Sequence, residues 1–239
     1  MSTQKLLVVL AHPDDESFPI GGTLAKYAHE GAEVFLLTAT KGEAGIPGKS
    51  GADAAAIREV ELRRACAELG VNPPLFLNFL DGELANTPEE SGVQHLLEQV
   101  RQIQPDVIIT FGPDGISGHP DHLAIHRWTT LAFEQLSRQP GGPRRLYYIA
   151  PSEATQQGCG VPPPAEQVDG PVAFIDMGPY LEQKVRAIQQ HQSQNPPFPR
   201  DPKTEAQNLV CHELFRLARP RLSSNGYQPA TDLFQEEML

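Results

Sequence analysis

Cysteine is scarce. Cys66, Cys159 and Cys211 are the whole complement of a 239-residue chain. No two form a CxxC pair, so neither a zinc ribbon nor a disulfide framework is expected. The three read as small buried hydrophobes of a reduced, cytoplasmic protein. Positive charge is also short: 19 basic residues stand against 30 acidic ones, a net charge of −11. That balance argues against nucleic acid or an anionic membrane as the partner. No apolar run approaches the ~18 residues of a membrane-spanning helix. The opening segment MSTQKLLVVLAHPDDE lacks a small-residue cleavage site, so it reads as a buried strand and not as a signal peptide. The fingerprints GxGxxG, GxSxG and HExxH are missing; Leu123 stands where the glutamate of the last would fall between His122 and His126. Segment 42–50, GEAGIPGKS, ends like a phosphate-binding loop but carries Glu43 where that motif needs glycine. No internal repeat is visible.

What is present is an alternation of strand and helix. Residues 5–11, 33–40, 75–80, 106–111, 145–150 and 172–177 are near-continuous apolar runs of strand length. Such runs suit a sheet covered on both faces, which is the parallel case. Between them, 19–30, 53–69, 88–103 and 121–138 carry helical patterns, with Pro19 early and Gly31 late in the first and Gly70 ending the second. The expected fold class is therefore α/β: a doubly wound, mostly parallel, Rossmann-like sheet with helices on both faces. The pair Gly21-Gly22 reads as close packing at a helix start.

The last third is proline-rich. Stretches 151–171 and 196–202 cannot be helix or central strand, because proline lacks the backbone donor. They read as long loops that shape a pocket, with helices at 179–193 and 203–218 and a candidate flexible tail at 219–239. No composition break calls for a second domain, so 1–239 reads as one.

Two short segments carry chemistry. His12-Pro13-Asp14-Asp15-Glu16 follows the first strand, and His119-Pro120-Asp121-His122 follows the strand at 106–111. If the strand order is 3-2-1-4-5, both lie at the carboxyl ends of adjacent strands, where open α/β sheets bind ligands. Imidazole and carboxylate are donors that suit zinc, and three protein ligands leave an open, catalytic position. His12, Asp15 and His122 are the proposed three. Asp14 and His119 remain for proton transfer and charge stabilisation, while Glu16 reads as a helix cap or the holder of a histidine.

At these residues the sequence resembles the PIG-L/LmbE-like family of zinc-dependent de-N-acetylases, whose hallmarks are an AHPDDE segment and a later HPDH segment. Residues 40–45 look like its T-x-GE-x-G loop, 57–70 like its R-x-x-E helix ending in LG, and 184–194 like its K…H-x-SQ segment. The resemblance implies a hydrolase acting on the linear amide of an N-acetylglucosamine-type sugar. It implies one zinc on His12, Asp15 and His122, Asp14 as general base, and a cationic His119 near the oxyanion with Asp121 beside it. It also implies substrate contacts through Arg58, Glu43 and His191. Some relatives carry an oxyanion tyrosine where this chain has Ser117. The implied partner is a small-molecule amino sugar, and self-association is left open. The alternatives are a metal-dependent hydrolase of another amide or ester, and a non-catalytic sugar-binding relative.

Overall fold

The computed structural model describes residues 3–150, 172–207, 209–220 and 230–235. The chain runs β1 (Lys5–Leu10), α1 (Gly21–His29), β2 (Glu33–Thr38), α2 (Gly51–Leu69), β3 (Leu75–Phe76), α3 (Glu89–Ile103), β4 (Val107–Phe111), α4 (Gly115–Gly118) and α5 (Pro120–Leu136). It continues with β5 (Arg145–Ala150), β6 (Val172–Asp176), α6 (Leu181–Gln190), α7 (Pro202–Ala206) and β7 (His212–Arg219). The strands form one sheet in the order β3-β2-β1-β4-β5-β7-β6. The first five are parallel, as their uninterrupted apolar runs require, and β7 pairs antiparallel with both β5 and β6.

β1 is an interior strand of the sheet. Leu6 to Leu10 are wholly buried, because helices cover both faces. β1 pairs with β2 on one side and β4 on the other, in the register Leu6↔Val107. Thr110 Oγ1 donates to the Val9 carbonyl (2.9 Å) and Thr40 Oγ1 to that of Ala11 (3.0 Å), so the carboxyl ends of three strands are pinned together. The winding direction reverses between β1 and β4, and the loops at 11–20 and 112–119 leave the sheet side by side there.

Local signals explain the helices beside these loops. Ser50 caps α2 by accepting from the Asp53 amide, and Gly70 ends it in the left-handed conformation at φ 73°. Pro120 occupies the first turn of α5, where its missing N–H costs nothing. Gly22 packs against Met177 so closely that a Cβ would stand 2.4 Å from its sulfur.

Several expectations are corrected. The run at 75–80 gives only a two-residue strand, since Asn78 turns the chain at φ 60° and Leu80 emerges to solvent. Residues 203–218 are not one helix. α7 is a five-residue turn, and 212–219 forms the strand β7, which pairs antiparallel with β5 and β6. Residues 196–201 are a loop held by the Gln189 amide, which donates to the carbonyls of Phe198 and Arg200, whereas Pro202 opens α7, where a first-turn proline is tolerated; the stretch does not line the cleft described below. The described part of the tail, 230–235, is packed: Leu233 is fully buried and Tyr27 Oη donates to Asp232 (2.9 Å). Cys66 is a buried free thiol, whereas Cys211 is disulfide-bonded, against the expectation of three reduced cysteines. Stretch 151–171 lies outside the described residues. Among those described, no helix is long and apolar enough to cross a membrane.

α3 and α5 pack closely, and a Cβ on Gly92 would sit 2.2 Å from the Trp128 ring. Gly92→Ala is expected to lower unfolding free energy by about 1–3 kcal/mol in urea titration. An unchanged midpoint would contradict that packing.

Candidate active site

The two histidine loops meet across the β1–β4 seam. His12 Nδ1 lies 3.3 Å from His122 Nε2 and 3.6 Å from Asp15 Oδ2, and His122 Nε2 lies 3.4 Å from Asp15 Oδ1. A tetrahedral ion with bonds of about 2.0–2.2 Å has ligand-to-ligand edges of roughly 3.3–3.6 Å. The triangle already has that size, measured to whichever Asp15 oxygen faces each ring.

The far nitrogens fix which atoms face inward. His122 Nδ1–H donates to the Gly115 carbonyl (2.9 Å), leaving Nε2 with its lone pair toward Asp15 and His12. His12 Nε2–H points at Asp121 Oδ2 and Asp81 Oδ1, both at 3.1 Å, leaving Nδ1 for the centre. Two imidazole lone pairs facing each other at 3.3 Å repel unless a positive charge lies between them. The His12 environment favours such a charge: burial works against protonation, yet hydrogen bonds to Asp121, Asp15 and Asp81 override it and push the pKa up to about 11. Asp15, half-buried, is held below the usual carboxylate range by its bonds to His12 and by the nearby His122, against the effect of burial. The donor set therefore fits a divalent cation.

Proximity alone also groups His12 with Asp81 and Asp121, and His12 with His119 and His122. The first group is the support of His12 and not a rival site. Asp121 already accepts the Gly82 amide (2.8 Å) and the Leu84 amide (3.1 Å), and Asp81 accepts the Ala44 amide (3.0 Å). These carboxylates orient the His12 ring, as outer partners of metal-binding histidines do. Asp121 is fully buried. This corrects its expected place beside the His119 ring: α5 begins between the two residues, so Asp121 drops under His12 while His119 stays exposed as the helix cap.

His119 Nδ1 accepts the Asp121 amide (3.2 Å), so a neutral ring carries its proton on Nε2. Burial and the neighbouring His12 and His122 lower its pKa, and Asp121 and Asp15 do not offset them. His119 thus turns its Nε2 toward the cleft. Neutral histidine is a competent carbonyl polariser elsewhere.

Asp14 lines the same cleft, which has a volume of about 450 Å³. Burial and the Asp15 carboxylate push its pKa up to about 7, with Arg58 pulling it back. Its backbone is left-handed at φ 109°. Arg58 is buried and lines the cleft, yet its guanidinium is committed to the Asp14 loop. It donates to the Pro13 carbonyl and pairs with Asp14 Oδ2 at 3.3 Å. Gly42 and Gly45 leave room for it, since a Cβ on either would collide with the guanidinium.

Two expected substrate contacts are corrected. Glu43 does not line the cleft: Gly42 turns the loop at φ 74°, so Ala44 and Gly45 face the site instead. His191 is wholly buried and bonds Glu16 Oε1 at 2.7 Å, out of reach of any ligand. Glu16 is thus the holder of a histidine and not a helix cap; the first amides of α1, Gly22 and Thr23, go instead to Glu213 of β7 (3.1 and 2.7 Å). Ser117 is exposed outside the cleft. Sequence reasoning missed Asp81 and Gln194, which both line the cleft. Gln194 lay within the K…H-x-SQ resemblance, but Asp81 carried no motif at all.

With this geometry established, comparison with known proteins gives four matches. The family described as PIG-L, GlcNAc-PI de-N-acetylase, matches residues 7–133. A Thermobifida fusca protein named 1D-myo-inositol 2-acetamido-2-deoxy-alpha-D-glucopyranoside deacetylase is 34% identical, over 98% of this chain and 100% of its own. Among solved structures, N,N'-diacetylchitobiose deacetylase from Pyrococcus horikoshii superposes with a TM-score of 0.69 at 25% identity, covering 90% of this chain and 84% of its own. The 4-carboxy-2-hydroxymuconate hydratase GalB, from Pseudomonas putida, shares the fold at a TM-score of 0.67 and 19% identity, covering 93% of this chain and 99% of its own. The fold by itself therefore does not specify the reaction.

Because Asp121 holds the His12 ring, Asp121→Ala is expected to weaken divalent-cation affinity about 10–100-fold in chelator competition. An unchanged affinity would remove Asp121 from the support of the site.

Proposed function

The chain belongs to the PIG-L family of GlcNAc-PI de-N-acetylases, and on that premise we propose that it hydrolyses the N-acetyl group of an N-acetylglucosamine conjugate to acetate and the free amine. The observation that carries this reading is the His12, Asp15 and His122 triangle beside a separate carboxylate, Asp14, in one open cleft. Zinc is the ion assigned to those three residues, whose nitrogen and oxygen donors suit it. When bound, it supplies Lewis acidity toward water and toward a carbonyl oxygen.

The remaining work falls to the chain's own side chains. Asp14 takes a proton from the attacking water as the new C–O bond forms. His119 presents its Nε2–H to the acetamide oxygen, where negative charge builds. One such donor is worth about 10²–10³ in rate. Asp14 then passes its proton to the sugar nitrogen as the C–N bond breaks. Arg58 keeps the Asp14 loop in place through Pro13 and Asp14. Ser117 supplies no aromatic hydroxyl for the oxyanion, so His119 is the side-chain donor assigned to it.

A cleft of about 450 Å³ falls within the roughly 300–1,000 Å³ of small-molecule sites. That volume suits an amino sugar bearing a small polar aglycone, such as the inositol in the name of the Thermobifida relative. The net charge of −11 favours a conjugate free in solution over one held in an anionic membrane.

Asp14→Asn is expected to cut acetate release from N-acetylglucosaminyl inositol by about 10²–10⁴-fold, with metal content unchanged at one ion per chain. Full turnover in that variant would overturn the role of Asp14 as base. Stripping the wild type with a chelator is expected to abolish turnover and zinc to restore it; activity that survives complete removal of metal would overturn the metal-dependent reading.

A further inference from the structure

The base of the proposed reaction sits in a conformation its own residue type does not favour. Asp14 has φ 109°, a region that L residues rarely enter and that stores strain unless neighbours over-determine it. Its peptide groups show what does so. On the side of its own N–H, Glu16 Oε2 accepts the Asp14 amide (3.0 Å). On the side of its own carbonyl, the Ser17 and Phe18 amides donate to it (3.0 and 3.3 Å). The preceding carbonyl, of Pro13, is held by Arg58.

Glu16 is the anomalous member of this set. It is a carboxylate with no solvent exposure, and it lies outside the residues that line the cleft. It is kept ionised by His191, equally buried, whose Nε2 lies 2.7 Å from Oε1; Ser17 Oγ donates to the same oxygen. His191 comes from the segment after α6, some 175 residues away, and Ser193 in that segment is tied to Glu61 of α2 through both its amide (2.8 Å) and its hydroxyl (2.6 Å). A buried ion pair is a weak source of net stability, so its presence under the base calls for another explanation.

We propose that the buried Glu16–His191 pair is a positioning device for the reaction, with Glu16 Oε2 holding the Asp14 peptide left-handed so that its carboxylate faces the cleft. His191 anchors Glu16 to the α6 end of the molecule. Neither residue touches substrate. The inference rests on the reading of Asp14 as general base.

The test compares Glu16→Ala, Glu16→Gln and the double variant Glu16→Met with His191→Met. The last fills the same volume with apolar side chains, the replacement that buried ion pairs tolerate best. Each is assayed for kcat and KM on N-acetylglucosaminyl inositol, for bound zinc, and for the Asp14 backbone angle by crystallography. Loss of the acceptor in the alanine and double-methionine variants is expected to lower kcat by about 10²-fold, the scale of a small misplacement of a reacting group. KM and the one zinc per chain are expected to stay as in the wild type, and Asp14 is expected to leave positive φ. Glu16→Gln keeps an oxygen for the Asp14 amide and is expected to recover most of that loss. Wild-type kcat in a folded, zinc-loaded double variant overturns the proposal, as does Asp14 remaining near φ 109° there. A glutamine variant as impaired as the double variant overturns it too. Asp14→Asn run alongside separates the two levels: if it is fully active, the base assignment fails, and if it is inactive while the double variant is normal, only the positioning role falls.

Discussion

The site depends on how one imidazole is held. His12 gives its Nε2–H to two carboxylates, Asp81 and Asp121, and thereby presents Nδ1 to Asp15 and His122. If that proton moved to the other nitrogen, the three inward-facing donors would become two and the open coordination position would be lost. The burden on Asp121 explains its environment: two backbone amides from the turn after residue 81 saturate the rest of its carboxylate, and burial keeps water from competing. The placement is possible because β1 and β4 are neighbours, so that loops more than a hundred residues apart leave the sheet together.

The later part of the chain supports this point from beneath. β7, though antiparallel and remote in sequence, sends Glu213 to the first amides of α1, where Lys184 joins it at 2.6 Å. The helix that follows the first histidine loop is therefore fixed by a strand formed near the end of the chain. The segment after α6 does the same for the loop itself through His191 and Glu16, and Gln194 reaches the Gly45 carbonyl (3.2 Å) at the wall of the cleft. Metal-facing loops carry few apolar contacts of their own, so a rigid site needs this kind of polar bracing from several elements.

Much of this was legible in advance. The parallel core could be read because strands buried on both faces are apolar without interruption, and the order 3-2-1-4-5 assumed for such a sheet, which the first five strands adopt, brings the two histidine segments together. β7 was not legible as a strand: HELFRLAR mixes charged and apolar residues with no clean period, and only its neighbours β5 and β6 decide which side chains are buried. The meeting of His12, Asp15 and His122 was readable from residue type and placement. The division of labour around them was not. Asp121 looked like the partner of His119, its near neighbour in sequence, but a helix start separates two residues more sharply than their spacing suggests. His191 looked like a ligand contact because it was polar and motif-bearing, yet its partner, Glu16, lies 175 positions away. Asp81 sits in an unremarkable turn and gains its role only from the fold.

The proposed chemistry turns on where a cation sits. An anomalous-difference map collected at the zinc edge from crystals of the zinc-loaded protein addresses this directly. The account predicts one peak per chain, about 2.0–2.2 Å from His12 Nδ1, His122 Nε2 and a carboxylate oxygen of Asp15. A peak on the opposite side of the His12 ring, between Nε2, Asp81 and Asp121, or no peak near His12 at all, would contradict it.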